Sequence, residues 1–187
     1  MQKNKQTEQG VVLMEAVIAV SVLAIMFAGV LQLFTRSVST LRTTNDAAIA
    51  AYLAQDAAEF LYAKRRYNKD ISTTDNGWIA GIIDAGTCPG NTKCGVDTSR
   101  DSVADGDLLP CIDSSMNNCQ LFVRQDGAYT HTATNASSTP FTRTIEASLT
   151  EGDATTPLAV RATTTVSWTA SGGRIDEYVL PIMLYAK

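Results

Sequence analysis

One carboxylate, Glu15, lies near the start of an apolar run, Val11 to Phe34, that has no other charged side chain. An ionised carboxylate in hydrocarbon costs about 2–3 kcal/mol even on lenient insertion scales, so such a residue is a candidate functional site. The run of 24 residues is about 36 Å long as a helix, which is enough to cross a bilayer. A plain anchor has no need of Glu15, whereas an anchor that docks beside identical copies could pair it with a neighbour's free amino terminus.

The ten residues before the run, Met1–Gly10, are polar, include Lys3, Lys5 and Glu8, and end in glycine. A secretory signal has its small-residue cleavage site after the apolar stretch and loses that stretch from the mature protein. Here the small residue comes before the stretch. The sequence therefore predicts a short cytoplasmic leader, residues 1–10, and cleavage between Gly10 and Val11 that keeps the apolar helix. The alternative is a signal anchor in which Glu15 is incidental.

Gly10-Val11-Val12-Leu13-Met14-Glu15, followed by AVIAVSVLAIM, resembles the class III signal of type IV pilins and type II secretion pseudopilins. The resemblance implies that a prepilin peptidase cuts after Gly10, that Val11 is N-methylated, and that Glu15 pairs with the amine of the adjacent subunit during assembly. Val11 departs from the Phe or Met that is usual at its position. Gly29 stands in the middle of a segment where many pilins have proline. Residues 51–66 also resemble the block that follows the anchor in pilin-like proteins.

Composition and charge indicate a globular chain without a nucleic-acid-binding surface. The 187 residues are 45% apolar and 18% charged, with a net charge of −4. The leader contributes +1, so the remainder has a charge of −5, whereas nucleic-acid-binding surfaces are basic. The basic cluster Lys64-Arg65-Arg66 is interpreted as a solvated last helical turn. No nucleophile elbow, phosphate loop or His/Cys pair is present, so neither an enzyme nor a cofactor is expected. His131, the single histidine, is expected to be an ordinary surface or strand residue.

The four cysteines lie in residues 68–140, which are rich in Asp, Asn, Ser, Thr and Gly. An even number of cysteines outside the membrane predicts two disulfides. Of the three possible pairings we favour Cys88–Cys94 and Cys111–Cys119, because each encloses a turn-like insert. A zinc site is the rival interpretation, but the spacing lacks the short pairs that zinc prefers. We expect an external cysteine loop that is separate from the core.

Two further patterns in this loop are weak. Asp105 and Asp107 are oxygen ligands at alternate positions, which can bind calcium, but no Glu completes an EF-hand loop. Asn135-Ala-Ser137 matches the glycosylation pattern, which occurs often by chance in such segments.

Periodicity predicts the elements that position these residues. Apolar residues at helical spacing, with no proline, predict one helix from Val11 to Tyr67. Its first part, residues 11–34, is apolar all round, and its second part, residues 35–67, has a single stripe: Val38, Leu41, Ile49, Leu53, Ala57 and Phe60. Residues 141–187 alternate with period two and form three predicted strands, with Pro181 at an edge or a bulge. The expected fold is therefore α+β: a long helix packed on a C-terminal antiparallel meander, with the disulfide-containing loop between them.

These features together predict a structural subunit of a type IV pilus-like filament. Its partners would be other pilins, prepilin peptidase and the inner-membrane assembly platform, and it would move from the cytoplasmic membrane to an extracellular filament. A pseudopilin of a type II secretion or DNA-uptake system is the first alternative. A monomeric membrane-anchored binding protein is the second.

Overall fold

The computed structural model describes residues 5–83, 88–90, 92–98, 106, 108–112, 117–170 and 173–186. At residues 5–11 and at residue 117 only the backbone is described. The chain divides into two compact units, Met1–Thr44 and Asn45–Lys187. One helix contributes residues to both of them.

That helix, α1, runs through Lys5–Ile71. It contains no proline, and its only glycines are Gly10 and Gly29, so each of its residues can donate a backbone hydrogen bond. Good helix formers such as alanine and leucine are frequent in its second half. The helix begins before Val11 and continues past Tyr67, the expected end. Lys69 in its last turn suits the negative end of the helix dipole.

The second half of α1 buries one face. The buried residues recur at helical spacing and are Ala50, Leu53, Ala54, Ala57, Ala58, Phe60, Leu61, Lys64 and Asn68. The predicted stripe is therefore present at Leu53, Ala57 and Phe60. Leu41, which was predicted to belong to it, is 67% exposed.

The described residues of the second unit form a seven-stranded sheet. The strands are β1 (Cys94–Gly95), β2 (Leu109–Pro110), β3 (Gln120–Arg124), β4 (Tyr129–Thr130), β5 (Ala136–Gly152), β6 (Pro157–Thr169) and β7 (Ile175–Tyr185). All pairings are antiparallel. β5, β6 and β7 form a meander, and the other edge of β5 pairs first with β3 and then, at Ile145, with β1. The expected α+β fold, a long helix on an antiparallel sheet, is confirmed.

The described part of the segment between α1 and β5 contains more regular structure than expected. It contains β1–β4 and two short 3₁₀ turns, at Gly77–Ile79 and Asn117–Cys119. It also contains both disulfides, Cys88–Cys94 and Cys111–Cys119, so the predicted pairing is confirmed.

The two disulfides differ in their burial. Cys88 and Cys94 are fully buried and belong to the same apolar cluster as Trp78 and Ile145. In the second bridge Cys119 is buried, whereas Cys111 is only half-buried. The expectation of a cysteine loop separate from the core is therefore wrong for Cys88–Cys94, which packs inside the core.

A polar layer divides the apolar core into two clusters. The larger cluster includes Ala57, Phe60, Leu61, Trp78, Ile82, Cys88, Cys94, Val96, Leu108, Ile145, Ala147, Val160, Ala162 and Leu184. The smaller one comprises Ala50, Leu53, Ala54, Leu121, Phe141, Val166 and Trp168. On the inward face of β5, Arg143 lies between Phe141 and Ile145. On β6, Thr164 lies at the corresponding level, between Ala162 and Val166.

Candidate functional site: an exposed apolar helix segment and a buried arginine

The first unit exposes an apolar helix segment on all sides. Its large apolar side chains, from Val12 to Phe34, are each 45–73% exposed. Among the described residues, one helix is long and apolar enough to cross a membrane, and this segment lies in it. Apolar surface of this extent is shielded from water only by lipid or by other protein chains.

Glu15 is exposed on this segment. Within the described part of the chain, no hydrogen bond or ion pair involves its carboxylate. The next ionisable residue toward the C-terminus is Arg36. The backbone of Gly10 and Val11 lies in α1, but their side chains are outside the described residues, so cleavage and methylation there stay predictions. Once water is excluded, the Glu15 carboxylate requires a cation or a proton from elsewhere.

Sequence reasoning missed Arg143, which is fully buried on the inward face of β5. Its guanidinium connects three parts of the second unit. Nη1 donates to the backbone carbonyl of Leu53 at 3.1 Å and to Oδ2 of Asp56 at 2.8 Å, both on α1. Nη2 donates to the carbonyl of Val96 at 2.9 Å and to Oγ1 of Thr98 at 3.2 Å. The helix, the sheet and the residues after β1 therefore meet at one cation.

The charges at this site compensate one another. Burial lowers the pKa of Arg143, and the adjacent carboxylate of Asp56 opposes that shift. Oδ2 of Asp56 also accepts a hydrogen bond from Oγ1 of Thr98 at 2.6 Å. The Asp56 side chain is half-exposed and so remains partly hydrated. A buried cation with this many acceptors positions the elements around it, and removal of one partner is costly.

The signal for Arg143 was present in the sequence. The period of two that placed Phe141, Ile145 and Ala147 on the inward face of β5 also placed residue 143 there. A charged residue on the apolar face of a strand requires a buried partner. The partner, Asp56, comes from a different element, which alternation within the strand could not identify.

His131 had been expected on the surface or in a strand. It lies directly after β4 and is buried. Its Nδ1 is 3.0 Å from the carbonyl oxygen of Gln120. Burial, reinforced by the positive charge of Arg143, lowers the pKa of His131 to about 4. The histidine is therefore neutral at pH 7.

An open groove of about 400 Å³ lies beside Asp56. It is lined by Ile49, Tyr52, Leu53, Asp56, Thr98, Gly127, Ala128 and Tyr129. Its walls are mainly apolar and aromatic, and Asp56 contributes a carboxylate that already bonds to Arg143. The lining offers contact surface for a partner.

The remaining predicted sites have different outcomes. All four cysteines are in disulfides, so their thiolates are not available for zinc. The weak calcium candidates Asp105 and Asp107 lie outside the described residues, and within the described ones no group of His, Cys, Asp or Glu could hold a metal ion.

The basic triplet Lys64-Arg65-Arg66 had been expected to be solvated, but its three side chains differ in their exposure. Lys64 is buried on the sheet-facing side of α1. Arg65 donates to the backbone carbonyl of Tyr185, at the end of β7. Only Arg66 is exposed.

Comparisons of the chain with family models, with curated proteins and with solved structures give no match.

Proposed function

We propose that this protein is a structural subunit of a type IV pilus-like filament, inserted in the membrane through α1 and assembled through the same helix. The observation that carries the proposal is the exposed apolar segment Val12–Phe34 with one carboxylate, Glu15, near its start. The second unit has its own buried core, and the large apolar side chains of this segment are exposed. The segment is therefore available first to lipid and then to identical helices.

Glu15 gives the segment a specific chemistry. Cleavage after Gly10 would create a free amine at Val11, four residues before Glu15. In a bundle of identical helices, the amine of one copy is a suitable partner for the carboxylate of its neighbour. Two opposite charges that share a water-poor environment favour one axial stagger between the helices, because other staggers leave both charges unpaired. The resemblance of residues 10–26 to the class III signal supports the same arrangement.

The covalent chemistry of the second unit is consistent with an extracellular position. Two disulfides form within 32 residues, Cys88 to Cys119. Disulfides persist in oxidising compartments and are rare in the cytosol. An anchor that holds the second unit outside the cytoplasmic membrane agrees with both disulfides.

A pseudopilin would use the same helix, so it is a second candidate within one class. The groove beside Asp56, with Tyr52 and Tyr129 in its walls, favours a different candidate, a monomeric membrane-anchored binding protein. The state of the amino terminus separates this last candidate from the first two. Mass spectrometry of the mature chain should find Val11 as its first residue, and Gly10→Val should block the cleavage. An intact Met1, or a cut after Phe34, would exclude the pilin class.

The assembly step is tested at Glu15. We expect Glu15→Ala to insert in the membrane as well as the unchanged protein, because the substitution removes a charge from the apolar segment, but to be depleted from sheared filaments. Ser21→Ala, on the same segment, is the matched control and should assemble normally. Normal incorporation of the Glu15→Ala subunit would contradict the proposed role of this carboxylate.

A further inference from the structure

In the part of the chain that the structure describes, the last strand, β7, has one free edge. Within the described residues β7 pairs only with β6, through an unbroken antiparallel register from Ile175 to Tyr185. A free edge presents unpaired N–H and C=O groups that another strand can bind. Pro181 lies inside this strand, and the register passes through it without a bulge, opposite Thr163.

Two backbone hydrogen bonds show which amides of β7 face the free edge. The Ala186 amide donates to Leu158 at 3.0 Å, and the Ala170 amide donates to Arg174 at 2.7 Å. Both bonds fit the register of β6 and β7, one beyond each end of β7. Bonded and non-bonded pairs alternate in an antiparallel ladder. Even-numbered residues of β7 therefore bond to β6, and odd-numbered residues direct their amides and carbonyls to the free edge, where the Tyr185 carbonyl already accepts a hydrogen bond from Arg65.

Pro181 is one of the odd-numbered residues, so the N–H that it lacks is missing from the free edge and not from the β6 ladder. Two more residues of this row, Ile175 and Val179, have exposed apolar side chains (73% and 46%). From Tyr178 to Tyr185 the strand reads YVLPIMLY, without a charge. Without the proline this segment has the apolar, uncharged, β-favouring composition of strands that pair with copies of themselves.

We propose that the free edge of β7 is a strand-addition surface for β7 of a second copy of this chain, and that Pro181 prevents this strand pairing in the unchanged protein. Strand addition needs a continuous row of donors and acceptors. A proline in the row removes one donor from each copy and leaves the opposing carbonyl without its bond. The proposal does not depend on filament formation through α1.

Charge selects the register of such a pair. Antiparallel pairing centred on Glu177 would place the two Glu177 carboxylates opposite each other, which is destabilising. Pairing centred on Val179 places Glu177 opposite Pro181, and pairing centred on Pro181 places it opposite Tyr185. Both of these registers include Pro181 in the paired segment. The two registers that avoid the pairing of like charges are thus the ones in which Pro181 interrupts the row of hydrogen bonds.

The test is Pro181→Val in the full chain, in detergent micelles, with amide hydrogen exchange measured over β7 at several protein concentrations. The variant restores the N–H at the free edge in a residue that favours strands. We expect the amides of Val179 and Met183 to become protected as concentration rises, with self-association strengthened at least about tenfold by the restored bonds. P181V and the unchanged protein have the same α1, so a concentration-dependent difference between them at these amides reports on β7.

The double variant V179P/P181V is the matched control, because it moves the proline two residues along the same outward row. It should behave like the unchanged protein. L180P is the opposite control: it removes an amide that bonds to β6 and should lose protection throughout β7. If P181V is poorly folded, Pro181→Ala restores the same amide with a smaller side chain. The proposal is overturned if these amides of P181V or P181A exchange equally fast at all concentrations, or if V179P/P181V associates as P181V does.

Discussion

Two segments of one helix, Val12–Phe34 and Ala50–Asn68, are used in opposite ways. The first exposes apolar side chains on every face, whereas the second buries one face against the sheet. Each segment has one carboxylate of interest: Glu15, which has no partner among the described residues, and Asp56, which pairs with Arg143 at 2.8 Å. The second segment therefore completes the fold of this chain, whereas the apolar side chains of the first are exposed.

The largest loss of unfolding free energy is expected from substitution of Arg143. Arg143→Ala should lower the free energy of unfolding of the second unit by about 3–5 kcal/mol, because it leaves the Leu53 and Val96 carbonyls and Asp56 without their donor. Arg143→Met removes the charge but keeps much of the volume, so it should be less damaging than the alanine variant. Urea unfolding of residues 45–187, followed by near-UV circular dichroism, measures both. An alanine variant as stable as the unchanged fragment would show that the polar layer does not hold the core together.

Two leucines in α1 compare the segments directly. Leu61 is fully buried, and Leu23 is 53% exposed. Leu61→Ala should cost about 2–5 kcal/mol of unfolding free energy, because it leaves a cavity in the larger cluster. Leu23→Ala should change that free energy by less than about 0.5 kcal/mol. Unfolding of the full chain in detergent micelles, with the two Trp residues of the second unit as the probe, gives both values. Similar losses at the two positions would contradict the division of roles.

Acid should weaken the second unit through His131. Its pKa falls from 6.5 to about 4 in the folded chain, so below pH 6.5 the unfolded chain binds the proton more readily. Stability is therefore complete above pH 6.5 and decreases as the pH falls toward 4, by up to about 3 kcal/mol. His131→Gln removes the titrating group and should flatten the unfolding free energy over this range. An unchanged pH dependence in that variant would show that other groups control it.

The smallest expected difference in stability is between the variants that lack one or the other disulfide. Each closes a short loop, so chain entropy attributes a similar stabilisation, about 2–3 kcal/mol, to both. Cys88→Ala with Cys94→Ala should cost more than Cys111→Ala with Cys119→Ala, since the first pair is fully buried in the larger cluster. Hydrogen exchange at Ile145 and Val160 should rise in the first double variant and stay slow in the second. Equal exchange would mean that burial adds nothing to the first bridge.

The sequence predicted those parts of the fold that depend on local patterns. The 3.6-residue period predicted α1, the two-residue period predicted β5–β7, and the short cysteine spacings predicted both bridges. Arg143, His131 and Lys64 were misjudged because their burial depends on residues far away in the chain: Asp56 reaches Arg143 across 87 positions. Likewise Cys88–Cys94 was placed outside the core, since spacing defines a loop but not the surface on which it packs.

The buried guanidinium also has a mechanical consequence. A pull along the axis of α1, applied from its N-terminal end, reaches the sheet partly through the contacts of Leu53 and Asp56 with Arg143. Those two bonds join the helix to a central strand that is paired on both edges, so the load is shared with β6 on one side and with β1 and β3 on the other. Sliding of the helix along the sheet must break charge-assisted bonds to the fully buried guanidinium of Arg143, in addition to apolar contacts that re-form after each step. Arg143 thus makes the helix–sheet contact resistant to shear.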